Sequence, residues 1–239
     1  MKLDDVRKLH QRKYREAFGY FLVEGEHPVL ELQKAAANNP LLKASEVYVT
    51  KEHADWQGPF QTRVITGVQM SQISDTRTPQ GIVAVAPLLP PAPLRVGEKA
   101  IYLREIQDPG NLGTILRSLA WFGSFRCLIS PGSVDPYNSK VVRASMGALF
   151  HVPLEQDVDL PLLKQRYRRF ACLDMTGEAV RSATFRDFDC YIFGNEARGL
   201  SPDLTDSIAA QAFTIPGAGT MESLNLAAAV NICVYELSR

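Results

Sequence analysis

No surplus of either charge marks this chain. Its 239 residues carry 26 Lys and Arg against 26 Asp and Glu, so no global field advertises a polyanionic partner. A local basic patch is enough to bind one, however. RKLHQRKYR, residues 7–15, holds Arg7, Lys8, Arg12, Lys13 and Arg15 without an acid among them. A second cluster, KQRYRR at residues 164–169, reads equally as a solvated helix face. Cysteine is sparse: Cys127, Cys172, Cys190 and Cys233 are scattered without CxxC or His spacing. That excludes a zinc site or disulfide framework and leaves reduced, buried thiols as the expectation. No apolar run approaches the ~20 residues of a membrane span, and the charged start MKLDDVRKLHQRKYRE is no secretory h-region. A cytoplasmic protein with no membrane and no metal partner is expected.

The length allows one large domain or two small ones. One break in composition divides it: APLLPPAPLRVGEK, residues 86–99, has four prolines and no periodicity. It reads as a linker. The expected organisation is a small α/β unit over residues 1–86, a Pro-rich linker over 87–97 and a second domain over 98–239. In the first, a helix over 3–18 leads into FLVEGEHPVLELQKAAA, the strands EVYVT and TRVIT, a helical VQMSQIS and the strand GIVAVA. Beyond the linker, strand-like AIYLRE, FRCLIS, FACLDM, CYIFGN and FTIPG alternate with helical runs. That alternation predicts an α/β fold with a mostly parallel sheet.

Ligands of open α/β sheets bind beyond the carboxyl ends of strands. Three of those ends stand out. IQDPGNLGTILRSLAWFG follows AIYLRE, with a tight turn at 108–111, a helix expected to open at Gly113, and Arg117 six residues beyond Asn111. GNEARGLS follows CYIF, and PGAGTMESLN follows FTI. The last resembles a dinucleotide-binding GxGxxG, but Glu222 replaces its final glycine and no second strand follows to complete the βαβ unit. DPGNLGTI lacks the Lys-Ser/Thr of a P-loop. None of His10, His27, His53 and His151, and no cysteine, lies in these loops, so triad and zinc chemistry have no candidates there. A site without nucleophile or metal acts by positioning and electrostatics, which suits transfer of an activated group carried by a cofactor.

In order and spacing, QDPGNLGTILRSLAWFG, FGNEARGLS and IPGAGTMESLNLAAA resemble the three motifs of the SpoU (TrmH-like) class of SPOUT RNA 2′-O-ribose methyltransferases, and KVVRASMGALFHVP is similar to a recurring segment between them. The match covers about residues 98–239. FLVEGEHPVLEL more weakly resembles the ribosomal-protein-like RNA-binding domain that precedes the catalytic domain in ribosomal-RNA members. The resemblance implies a C-terminal trefoil-knotted domain, a topology that general rules of chain connection disfavour. It also implies S-adenosylmethionine as cofactor, bound in the knot largely by backbone groups. A homodimer built on the helices after motif one and in motif three is implied too.

Carried over residue by residue, the resemblance places Asn111, Arg117, Glu196, Ser223 and Asn225 in the chemical constellation. Gly194, Ile215 and Leu224 fall at the cofactor, with Phe193 and Gly217 beside them. The implied reaction is in-line attack of a ribose 2′-oxygen on the sulfonium methyl, without a metal. Arg117 matches the arginine proposed in the family as base, yet a guanidinium stays protonated in proteins. Binding of a phosphate and stabilisation of developing alkoxide charge fit it better. One position departs: the family usually has Met after Ile-Pro, where this chain has Gly217. The basic residues Arg7, Lys8, Arg12, Lys13 and Arg15 would hold the RNA backbone. The N-terminal extension and the end of the chain directly after motif three favour ribosomal RNA over transfer RNA. A catalytically weak RNA-binding or ribosome-assembly relative is the other reading.

Overall fold

The apolar runs resolve into two sheets, each with its own helices, in a computed structural model that describes Met1 to Arg239. In chain order the first elements are α1 (Leu3–Lys8), α2 (Arg12–Phe18), β1 (Tyr20–Glu24), α3 (Glu26–Asn38), β2 (Glu46–Val49), β3 (Gln61–Val64), α4 (Gly67–Ile73) and β4 (Ile82–Pro87). Then come β5 (Lys99–Leu103), α5 (Pro109–Phe122), β6 (Phe125–Ile129), α6 (Ser139–Ser145), β7 (Leu154–Glu155) and α7 (Leu160–Arg166). The chain closes with β8 (Phe170–Ala179), β9 (Cys190–Phe193), α8 (Pro202–Ser207), β10 (Gln211–Thr214) and α9 (Leu226–Ser238). No helix is long and apolar enough to cross a membrane.

One unit comprises residues 1–90 and 135–151. Its sheet runs β1-β4-β2-β3, antiparallel except for the β2–β3 pair. The helix expected over 3–18 is two helices, because Leu9 turns into the core and His10 Nε2 meets the Ile73 carbonyl at 3.1 Å. The boundary also differs from the expected one. Residues 135–151, placed by the sequence in the second domain, pack in this unit. The Tyr137 ring lies 4.7 Å from that of Phe21, and Arg143 reaches Glu24 and Asp75 at 3.3 and 3.2 Å.

The other unit comprises residues 91–134 and 152–239. Its six strands run β10-β8-β9-β5-β6-β7, every adjacent pair parallel. Strands buried on both faces read as continuous apolar runs rather than alternating ones; β9 does so, as does β5 beyond Lys99, while Arg126 interrupts β6. Ala100, Tyr102, Cys190 and Ile192 join Leu163 of α7 and Leu204 of α8 in one cluster. Successive strand residues face opposite ways. The buried Leu112, Ile115, Leu116 and Leu119 of α5 lie outside that cluster, and α5 packs on β6 and α9.

Part of the linker is pinned. The fully buried Arg126 of β6 donates to the Ala92 and Pro93 carbonyls at 2.9 and 2.7 Å, and pairs with Glu98 and Glu155. All four cysteines are buried and free, and burial pushes the Cys172 thiol up to about 11 and that of Cys127 to about 12.

Candidate active site at the carboxyl edge of the parallel sheet

Strands β5, β9 and β10 end on the three loops singled out in the sequence, and side chains tie these loops together. Asp108 begins α5. Its carboxylate accepts from the Asn111 backbone N–H at 2.7 Å, and Pro109 occupies the first turn, where a missing N–H costs nothing. The helix therefore starts at Pro109, four residues before the expected Gly113, and Asn111 sits in its first turn. Across the chain, Asn225 caps α9 by accepting from the Ala228 N–H at 3.2 Å. Caps of this kind contribute about 1 kcal/mol each. Ser223, expected in the same constellation, precedes the helix and is exposed.

The side chain of Asn111 joins all three loops. Its Oδ1 accepts from Asn225 Nδ2 at 2.9 Å, and its Nδ2 donates to Glu196 Oε1 at 3.4 Å. Glu196 also accepts from the backbone N–H groups of Gln107 and Asp108, at 3.2 Å each. An ionised carboxylate is acceptor only, so these donors fix Glu196 as an anionic staple between the β5 and β9 loops. Asn195 works alongside it. Its Nδ2 donates to the Glu105 carbonyl at 2.8 Å, while its Oδ1 accepts from Ala197 and Arg198 N–H and shapes the turn. The backbone of that turn is tight: a Cβ on Gly194 would lie 2.3 Å from the Gly199 carbonyl carbon.

Three contributors had not been singled out in the sequence. Glu105, in the left-handed region at φ 49°, pairs through its carboxylate with Arg198 at 2.6 Å and Arg104 at 3.0 Å. Gln107 Nε2 bridges the Glu105 and Gly132 carbonyls at 3.0 and 2.8 Å. Gln107 opens the quoted motif beside DPGN, and Glu105 ends the strand-like AIYLRE two residues earlier, which was the available signal. The third is the excursion Leu173–Gly177. Strand β8 lies between β9 and β10, and its register to β10 jumps from Cys172 opposite Ala212 to Glu178 opposite Phe213. The intervening residues thus emerge between the β9 and β10 loops. FACLDM was recognised only as a strand.

Of the other expected residues, Arg117 projects from α5, exposed, with no hydrogen bond or ion pair. Phe193 is buried at the end of β9. Ile215 is half-buried, Leu224 is 52% exposed and Met221 78%. A Cβ on Gly217 would meet nothing within 4 Å. No group of three or more His, Cys, Asp or Glu is placed to hold a metal.

The five basic residues near the N-terminus separate. Arg7, Lys8, Arg12 and Lys13 are exposed. Arg15 corrects the expectation: it is 4% exposed, its Nε donates to Asp135 at 3.1 Å and its Nη1 to the Leu9 carbonyl at 2.7 Å. A buried guanidinium already partnered has no face left for a phosphate.

Three polar loops interlocked at the carboxyl edge of a parallel sheet stand where open α/β folds bind their ligands. Residues 98–235 match the SpoU rRNA Methylase family and residues 2–84 the MRM3-like substrate binding domain, so the chain belongs to the SpoU rRNA methylase family. It is 30% identical to a 23S rRNA (guanosine-2′-O)-methyltransferase of Bacillus subtilis, over 99% of this chain and 95% of that one. Among solved structures, a TrmH-family RNA methyltransferase from Porphyromonas gingivalis superposes with a TM-score of 0.81 at 29% identity, covering 98% of this chain and 96% of the other. An rRNA methyltransferase from Sinorhizobium meliloti, solved with AdoMet bound, gives 0.80 at 25% identity over 98% and 93%.

Proposed function

We propose that the protein methylates a ribose 2′-hydroxyl of ribosomal RNA with S-adenosylmethionine as donor. The observation that carries this is the Asn111 side chain holding Glu196 and Asn225 together, beside an unpaired Arg117. Bound between the β9 and β10 loops, the cofactor supplies a methyl already activated on a sulfonium. Gly194 and Ile215 hold it through their backbone, with Phe193, Gly217 and Leu224 around it. Glu196 keeps the β5 and β9 loops in register. Arg117 offers a planar fork to a phosphate next to the target ribose and stabilises charge developing on its oxygen. Ser223 and Asn225 orient the hydroxyl.

Residues 1–86 serve as the RNA-holding domain, with Arg7, Lys8, Arg12 and Lys13 on the phosphate backbone, and residues 98–239 carry the transfer. β9 enters the sheet between β5 and β8, two strands that precede it in the chain, and this order supports threading of the C-terminal segment as a trefoil knot. The working form is a cytoplasmic homodimer. Trp121 on α5 is 85% exposed and Tyr235 on α9 51%, an apolar face on two helices that pack on each other.

Calorimetric titration with S-adenosylmethionine and S-adenosylhomocysteine, repeated with ribosomal RNA present, tests the proposal. Micromolar binding near one site per chain and a methyl mapped to a ribose are expected. Absence of binding under both conditions, or a methyl on a base, refutes it.

A further inference from the structure

Residues 1–90 contain an open concavity of about 350 Å³, within the roughly 300–1,000 Å³ of small-ligand sites. It lies where β2 ends, α4 begins and the chain approaches β4. We propose that it receives one unpaired nucleotide of the RNA substrate, a contact separate from the transfer site and resting on the RNA methyltransferase reading above.

The polar groups of the lining are mixed, and they are already oriented. Gln80 Oε1 accepts from the Glu26 N–H at 3.2 Å, which fixes the amide and leaves its NH₂ donors facing solvent. Ser71 Oγ donates to the Gly67 carbonyl at 3.0 Å and keeps its acceptor capacity. Glu52 adds an exposed carboxylate acceptor. Donors and acceptors side by side match the edge of a base. A carboxylate or phosphate ligand would instead call for cations inside the concavity, and the lining contains no Lys or Arg. The cations stand just outside it in the chain. Lys51, between lining residues Thr50 and Glu52, and Arg77, two residues before lining residue Pro79, are exposed and carry no ion pair. Neutral donors within and unpaired charge alongside suit a base with its flanking phosphates. His53, another lining residue, is held by Glu26 through Nε2 at 2.9 Å, so that wall is preformed.

Gly67 provides the test. It lines the concavity, and a Cβ there would meet no atom within 4 Å, so Gly67→Phe adds a bulky ring at its wall without a clash at the Cβ. Binding of a single-stranded oligoribonucleotide of about a dozen nucleotides, long enough to span a site of this kind, is followed by fluorescence anisotropy on the full chain. Thermal midpoint and S-adenosylmethionine affinity are measured on the same samples. Gly67→Phe should weaken RNA binding about tenfold or more, the scale of one lost base contact, with midpoint and cofactor affinity unchanged. Lys51→Ala with Arg77→Ala should weaken binding and flatten its salt dependence. If Gly67→Phe lowers the midpoint, Ser71→Ala with Gln80→Ala replaces it, since both side chains are exposed. A folded wall variant that binds RNA like the wild type overturns the proposal. So does a wild type that binds cofactor but not the oligoribonucleotide, and the methyltransferase reading then survives. Loss of RNA binding in Gly67→Phe, in a protein that neither binds cofactor nor methylates RNA, keeps the concavity and rejects that reading.

Discussion

Arg117 is the one cation of the site without a partner, whereas Arg104 and Arg198 are both paired with Glu105. Its exposure means that removing it should hardly touch stability, since surface substitutions usually stay within about ±0.5 kcal/mol. Its function rests on planarity as well as charge. Arg117→Lys keeps the charge and loses the two-pronged geometry, so kcat/KM for methyl transfer should fall by roughly 10–100-fold, about 1.4–2.7 kcal/mol, at an unchanged thermal midpoint. Near-normal turnover would argue against a fork on phosphate. At this scale much was legible: Asn111, Glu196 and Asn225 stood out because polar residues recur with glycine at three strand ends. Their division of labour was not legible. Arg15 and Arg117 both lie in helices, yet Arg15 is claimed by Asp135, 120 positions away.

At the scale of elements, the β8–β10 pairing controls where two loops emerge. Gly177, at φ 137°, lets the chain rejoin β10 after its excursion, and a Cβ there would sit 2.4 Å from the Ala212 carbonyl oxygen. Backbone cannot yield as a flexible side-chain tip does. Gly177→Ala should therefore destabilise by more than the ~1 kcal/mol of a backbone effect alone, and it should weaken cofactor binding as the excursion shifts. Gly219→Ala is the control. Its φ is 78°, but a Cβ meets nothing within 4 Å, so only the conformational penalty applies. Thermal denaturation of both variants decides, and equal midpoints would contradict the argument. The strand was readable from its β-rich apolar run. The register jump was not, because it depends on β10, whose sequence lies some thirty residues on.

At the scale of the molecule, residues 135–151 complete the first unit. Arg15 and the 6%-exposed Glu24 find partners in Asp135 and Arg143, and the Tyr137 hydroxyl donates to the Leu89 carbonyl at 3.1 Å. Removing one partner of a buried ion pair costs about 3–5 kcal/mol, a large share of a small unit's stability. A fragment of residues 1–90 alone should therefore lack a cooperative thermal transition and a dispersed amide NMR spectrum. A well-dispersed spectrum from that fragment would refute this. The proline-rich break contains one division between the units, at Pro90 and Pro91, but gave no sign that residues 135–151 return to the first unit.

By itself the sequence determined the local chemistry: parallel strands as apolar runs, loops rich in Gly and Asn at their carboxyl ends, and buried thiols. Each of these is decided by neighbours a few residues apart, through side-chain period and the backbone freedom of Gly, Asn and Pro. Only the tertiary structure decided which groups meet. Asn225 reaches Asn111 across 114 positions and Glu196 reaches it across 85. Such contacts follow from strand order and from the burial of apolar faces between distant segments, and no local period encodes either.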